Sequence, residues 1–276
     1  MKKVIPTTFA LAIFGGFYLA IAYVNPYEGS ISLSELVLQL SGSRGKFELG
    51  ASITELVAFS MRMIPSYIFE IFFGIILYRQ FCTASIYVFS RYPRRLRWYF
   101  SEVSTIGGAV LLYQLISLLT IILVTKFRYQ VQIDSAGVIL LAYHFLIQVV
   151  WIYAMTLSIN LLAIWIGSSS SFLTIVGLQM IWTTLLTSVD KIRELFNSTI
   201  IQEFVLRINP ISCLVLGWHS SRIEAVNRVL DPPYSGLDLN SSLLYASLFL
   251  GTALIAGGVL VKRHDLLISD LEKGVM

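Results

Sequence analysis

Long uncharged apolar stretches dominate the chain, and their lengths match a bilayer better than a soluble core. Val4 to Val24, Val103 to Thr125 and Leu239 to Val261 each run without a charged residue. A helix needs ~20 apolar residues to cross hydrocarbon, so each predicts a transmembrane helix. Between Ser135 and Val189, His144 is the one side chain that titrates in the ordinary range. That stretch is too long for one crossing at ~1.5 Å per residue. Its punctuation, Gly167-Ser168-Ser169-Ser170-Ser171, divides it into spans at Ser135 to Ile166 and Phe172 to Val189. The former exceeds what a bilayer needs and is expected to tilt or project. Met63 to Tyr78 predicts a less regular span, since it holds Pro65 and Glu70, has Arg62 at its outer edge, and extends backwards through Glu55 to Met61. The expectation is an all-α polytopic membrane protein, one integral domain over residues 1–276, with six spans near 4–24, 63–78, 103–125, 135–166, 172–189 and 239–261.

Composition narrows the class further. The chain of 276 residues is 56% hydrophobic and only 13% charged, with a mean hydropathy of +0.76. Soluble domains carry roughly 25% charged residues, so a cytosolic enzyme, a disordered chain and a disulfide-rich secreted module are all excluded. Ala20-Ile21-Ala22 has the small-x-small look of a signal cleavage site. The apolar run before it exceeds the ~7–15 residues of a signal core, which favours an uncleaved first span. Cys82 and Cys213 fall in segments assigned to opposite sides of the bilayer and are not expected to bridge.

Charge distribution sets the orientation. Six spans place both termini on one side. The N-terminal tail, the loop from Arg79 to Glu102 and the tail after Val261 together hold ten basic residues and four acidic ones. The opposite loops hold ten basic and eleven acidic residues. The positive-inside rule therefore predicts cytoplasmic N- and C-termini. The net charge of +4 reads as membrane topology facing lipid, with no nucleic acid as a partner. Two external segments exceed simple turns. Asn25 to Arg62 includes an amphipathic stretch, Ile31 to Leu40. Asp190 to Asn240 carries Ile192, Leu195, Phe196, Phe204, Val205 and Ile208 at helical spacing before Pro210, then a helix at Ser220 to Leu230. Ile200 to Trp218 is too polar for a seventh span and is read either as re-entrant helices or as helices on the surface.

Several chemistries lack their residues. Gly45-Lys46 is followed by Phe47 and lacks the earlier glycine of a phosphate loop. His144, His219 and His264 form no metal motif, the cysteines form none, and no Gly-x-Ser-x-Gly nucleophile elbow is present. No catalytic residue, metal or bound cofactor is assigned, and the chain is read as a non-enzyme.

The candidate functional residues lie within the spans and in one loop. Glu70 sits near the middle of the second span, where an ionised carboxylate is costly unless paired or hydrated. It reads either as part of a substrate or proton path or as a packing carboxyl bonded to a neighbour such as His144 or Gln148. His144, Gln148, Trp151 and Met155 share one face of the fourth span, and Gln179, Thr183 and Thr187 one face of the fifth. Such stripes line cavities or join helices. In the basic loop, Phe81, Ala84, Ser85, Val88 and Phe89 form a helical face, Pro93 interrupts it, and Arg94-Arg95-Leu96-Arg97-Trp98 leads into the third span. That shape suits a helix at the lipid headgroups, or docking into a groove on a soluble partner.

In this layout the chain resembles the six-span permease subunits of ABC-2 type ABC transporters. The resemblance rests on topology: the loop at Phe81 to Phe100 occupies the place of the helix that couples to the ATPase, and Ile200 to Trp218 that of a re-entrant element. One departure is that only Met1-Lys2-Lys3 precede the first span, where such permeases usually begin with an interfacial helix. The resemblance implies an ATP-driven exporter of an amphiphile, such as a peptide antibiotic, bacteriocin or lipid, in a bacterial plasma membrane. It implies a cytoplasmic ATPase subunit that binds the ATP and a second permease chain, identical or not. It assigns Phe89, Arg91, Arg94, Arg95, Arg97 and Trp98 to partner coupling, and Glu70, His144, Gln148, Gln179 and Thr183 to the substrate path. The alternatives are a non-transporting immunity or sensor protein and an intramembrane enzyme.

Overall fold

The computed structural model describes residues 4–26, 29–42, 52–87, 95–230, 232 and 236–263. Six helices are long and apolar enough to cross a membrane: Val4–Tyr23, Ile53–Cys82, Arg95–Arg128, Ser135–Ile166, Ser168–Thr187 and Leu239–Lys262. The protein is thus an all-α polytopic bundle. In chain order the helices are α1 (Val4–Tyr23), α2 (Leu33–Ser41), α3 (Ser52–Phe73), α4 (Ile76–Tyr87), α5 (Arg95–Arg128), α6 (Ser135–Ile166), α7 (Ser168–Thr187), α8 (Val189–Phe196), α9 (Thr199–Ile208), α10 (Glu224–Leu230) and α11 (Leu239–Arg263). The second span consists of α3 and α4 in line.

Each span packs for a readable reason. On α1, Thr8, Ala12, Gly16 and Ala20 recur every fourth residue, and all are buried. A Cβ on Gly16 would lie 2.6 Å from the Ser117 carbonyl oxygen, so two helix backbones touch there. In α3, Pro65 lacks the N–H that would bond to the Met61 carbonyl. The Tyr18 hydroxyl donates to that carbonyl at 3.1 Å, and the Tyr113 hydroxyl donates to the Pro65 carbonyl at 2.9 Å. Neighbouring helices thereby satisfy the proline's disturbance in a setting where water is scarce.

The helices differ from expectation mainly at their ends. The second span takes the expected backward extension past Glu55 and also runs beyond residue 78 through α4, because polar residues at either end fold into the same helical column. The third begins at Arg95, ahead of residue 103. The fifth begins at Ser168, because Gly167 alone, at φ 84°, makes the turn while the serines enter the helix. Ser171 donates back to the Ser168 carbonyl at 2.8 Å, which satisfies its hydroxyl within the helix.

The loops that join spans 1–2, 3–4 and 5–6 meet in one cap. Ser30–Ser32 pairs in parallel with Gln130–Gln132, a two-stranded element that the all-α expectation did not include. Almost all of α2 is buried, so the segment expected to be amphipathic is sunk in the cap. Asp134 joins the parts: its carboxylate accepts from the Gly137 N–H at the start of α6 and from the Ser34 N–H of α2, both at 3.0 Å. Desolvation pushes the Asp134 carboxyl up, but the hydrogen bonds from Ser34 and Gly137 outweigh it and hold the group below the usual carboxylate range. Its contribution is therefore complete above the ordinary value near pH ~4 and is lost as pH falls through the lowered one. Asp134→Ala is expected to destabilise the chain by roughly 0.5–1 kcal/mol at neutral pH, toward the low end of capping effects because the group is only partly buried. Thermal unfolding at two pH values checks this: the deficit should vanish in strong acid.

Beyond α7 the expected continuous apolar stripe breaks. Asn197, at φ 45°, ends α8 in the left-handed conformation. Leu195, Phe196, Ile200 and Phe204 are exposed, so that stripe faces outward from the protein instead of packing onto it. Pro210–Leu214 and Leu216–Trp218 are 3-10 turns whose described residues are almost wholly buried. The stretch read as re-entrant or surface-lying thus divides: α9 keeps an exposed apolar edge, and residues 211–219 plug the cap.

Candidate functional site

Two separate polar features hold the residues that the sequence grouped as one substrate path. The first is a cavity of about 40 Å³ near the cap, whose lining includes Arg62, Ser66, Gln114, Ser117, His144 and Gln148. Parallel packing of α3 on α6 brings Arg62 and Ser66, one turn apart, to His144 and Gln148, also one turn apart. From α5 come Gln114 and Ser117. A single water-sized group needs ~10–15 Å³, so the cavity takes roughly three of them and not an entire amphiphile.

Arg62 is the cation of this site. Its guanidinium carbon stands 4.6 Å from the centroid of the Tyr23 ring. Its Nε is sealed from solvent and has no hydrogen-bond partner. Among the described residues the ion pairs are Glu203–Arg207 and Glu224–Arg228, and Arg62 belongs to neither. Sequence reading placed Arg62 at a span edge and passed over Gln114 and Ser117 inside an otherwise apolar helix. The available signal was their spacing: Arg62 and Ser66, and Gln114 and Ser117, each mark one polar face on an apolar helix.

The second feature is the contact between Glu70 and Gln179. The Gln179 amide nitrogen donates to one Glu70 carboxyl oxygen at 2.9 Å, and both residues are buried. The other Glu70 oxygen and the Gln179 amide oxygen are enclosed without partners. This corrects the expectation that a packing partner for Glu70 would be His144 or Gln148. Register explains the difference: Arg62 stands level with His144, whereas the Gly74 end of α3 stands level with Ile159 and Asn160. Glu70 is deeper than His144 and turned toward α7. Thr183 spends its hydroxyl on the Gln179 carbonyl of its own helix at 2.8 Å, and Thr187 bonds to the Thr184 carbonyl. Those two threonines do not line the Arg62 cavity. Trp151 lies outside it as well, beside Pro210, Cys213 and Tyr245.

At the opposite end from the cap, Arg97 is exposed and Arg95 partly so. Trp98 leans on Phe81, with ring centroids 5.9 Å apart. Phe89, Arg91 and Arg94 lie outside the described residues. A separate concavity, of about 710 Å³, is an open apolar groove between α6, α7 and α11 that includes Leu161, Trp165, Ile175 and Leu260.

The histidine of the cap makes one further polar pair. His219 Nδ1 lies 2.9 Å from the Val215 carbonyl oxygen, which can only accept, so Nδ1 carries the proton and Nε2 accepts from the Ser242 hydroxyl at 2.7 Å. Burial pushes His219 down to about 4, against a smaller opposing effect of the backbone contacts. The pair has the polarity of a base and a nucleophile, but both residues are buried, and the void beside Cys213 and Tyr245 is about 10 Å³. In this conformation it acts as a strut between the cap and α11. Neither Cys213 nor Cys82 forms a disulfide. Among the described residues no group of His, Cys, Asp and Glu has the arrangement of a metal site.

No protein-family model, curated protein or solved structure matches the chain.

Proposed function

We propose that the chain is the permease subunit of an ATP-driven exporter of an amphiphile, energised by a separate cytoplasmic ATPase. The observation that carries this reading is the polar cavity among spans 1 to 4, closed by a built cap at one end of the bundle. Packing alone gives a six-span bundle no reason to place a guanidinium, two glutamines and a histidine around one void, because buried polar groups are costly in hydrocarbon. A further support is the interruption of the second span at Gly74–Ile75, where α3 passes to α4. Such a break allows the end bearing the basic loop to move while the cap stays fixed.

In this reading the cap is external and the basic loop cytoplasmic. ATP-driven closure of the ATPase moves Arg95, Arg97 and Trp98 together with Phe89, Arg91 and Arg94. Because Trp98 rests on Phe81, that motion passes directly to α4 and across the break to α3. A second copy of the chain, or a related permease, completes the translocation path. The cavity around His144 and Gln148 receives only the polar group of the substrate. Glu70 and Gln179 join the second and fifth spans, which must separate or slide as the cavity changes access, and Thr183 lies one turn from Gln179 on the same seam.

Co-purification with the ATPase tests this proposal. Replacing Phe89, Arg94, Arg95 and Trp98 together by alanine is expected to weaken retention of the ATPase by about tenfold or more, as loss of an aromatic and arginine anchor does. Substrate-stimulated ATP hydrolysis should fall in parallel. An ATPase that stays bound and coupled to this variant rejects the assignment. A sensor or immunity protein is the second reading, favoured by the small size of the cavity. It predicts ligand binding to the isolated chain that is indifferent to ATP.

A further inference from the structure

We infer that Arg62 forms a binding site for a small monoanion, a halide ion or the carboxylate group of a larger molecule, within the cavity between spans 1 to 4. The inference goes beyond the permease reading and does not depend on it.

A guanidinium carries five N–H donors and a charge that stays at any physiological pH. Arg62 makes no hydrogen bond to any described residue, and its Nε is enclosed. The guanidinium carbon lies over the Tyr23 ring, 4.6 Å from its centroid, a contact that uses none of the N–H donors as hydrogen bonds. Removing a cation from water costs several kcal/mol unless hydrogen bonds and an opposite charge compensate. Elsewhere in the bundle two comparable disturbances are answered by a neighbour: Pro65 by Tyr18 and Tyr113, the start of α4 by Asn160. The Arg62 Nε has no such partner among the described residues, and the side chain borders a cavity.

The lining suits an anion better than a neutral guest. Gln114, Gln148, Ser66 and Ser117 supply N–H or O–H donors, while the Tyr113 hydroxyl is already committed to the Pro65 carbonyl. His144, the other basic lining residue, brings no negative charge. Among the described residues no carboxylate lines the cavity. Water would satisfy the donors but leave the charge uncompensated in a low-dielectric surround. Gly42 approaches Arg62 closely: at φ 135°, a Cβ on it would lie 3.5 Å from Arg62 Nη1 and 3.2 Å from Val215. With room for about three water-sized groups, the cavity fits a chloride ion or a carboxylate and not a phosphodiester with its substituents.

Thermal unfolding of the purified full-length chain, titrated separately with sodium chloride and sodium acetate, tests the inference. A stabilisation that saturates with one or both anions is expected for the wild type. A response to chloride alone identifies a halide site, and a response to acetate identifies a carboxylate site. In Arg62→Met the saturating component should disappear, leaving only the gradual salt effect common to all proteins. Gln114→Leu keeps the guanidinium and removes one donor. It is expected to raise the anion midpoint about tenfold, and it decides the matter should Arg62→Met fail to fold. A wild-type response that never saturates, or that is the same in Gln114→Leu, overturns the inference.

Discussion

Asn160→Leu is expected to destabilise the bundle by about 3 kcal/mol, although it replaces a polar residue with an apolar one of similar size inside a membrane helix. Where the second span breaks, the Asn160 side-chain oxygen accepts from the Leu77 N–H at 2.8 Å and the Tyr78 N–H at 3.3 Å. Its amide nitrogen donates to the Phe73 carbonyl at 2.9 Å and the Thr156 carbonyl at 2.8 Å. One side chain from α6 therefore caps the start of α4 and holds the end of α3. Leucine leaves the Leu77 N–H and the Phe73 carbonyl buried without partners, at roughly 1–3 kcal/mol for each group. Asn160→Asp, at a pH low enough to keep it protonated, retains the acceptor and one donor, so there it should fall between wild type and Asn160→Leu. Unfolding titrations in detergent measure the series. An Asn160→Leu variant within about 0.5 kcal/mol of wild type would mean that the break finds its partners elsewhere.

Gly16→Leu is expected to have a still larger effect, because no rotamer relieves it. A Cβ at Gly16 stands 2.6 Å from the Ser117 carbonyl oxygen and 2.8 Å from Thr120 Cβ, and the oxygen belongs to a helix backbone that cannot yield locally. Accommodating leucine requires α1 to lift from α5, which uncovers the stripe formed by Thr8, Ala12 and Ala20. A loss of about 4 kcal/mol or more is expected, with a marked fall in the yield of folded protein. Gly108→Ala is the control. Nothing lies within 4 Å of the position its Cβ would take, so alanine there should be neutral, or stabilising by up to ~1 kcal/mol through helix propensity. If both glycine variants behave alike, close backbone approach is not what holds the first span.

The spans were legible because bilayer thickness acts on a local property, the length of an apolar run. Ser135–Ile166 was foreseen to the residue, since Gly167 marks its end and Asp134 its start. The ends of the second and third spans were less legible because Arg95, Glu55 and Arg62 continue helices that hydropathy alone would stop. The small-residue stripe on α1 was present in the letters at intervals of four. Only the position of Ser117 reveals what it is for.

The candidate site was legible as residue types and not as groupings. His144 and Gln148 do face one cavity, but Arg62, from another span, supplies its charge. Gln179 faces Glu70, and Thr183 turns back onto its own helix. Helical periodicity assigns a residue to a face, whereas the register between two packed helices decides which faces meet at a given depth. That register is set by contacts such as Gly16 on Ser117 and Asn160 on the broken span, whose partners are separated by 83 to 101 positions along the chain. The amino-acid order therefore determined the class, the number of crossings and the supply of polar side chains, because each follows from the composition of one segment. The pairing of Glu70 with Gln179, the isolation of Arg62 and the burial of residues 211–219 were decided by tertiary packing, because each depends on how far one helix slides along another.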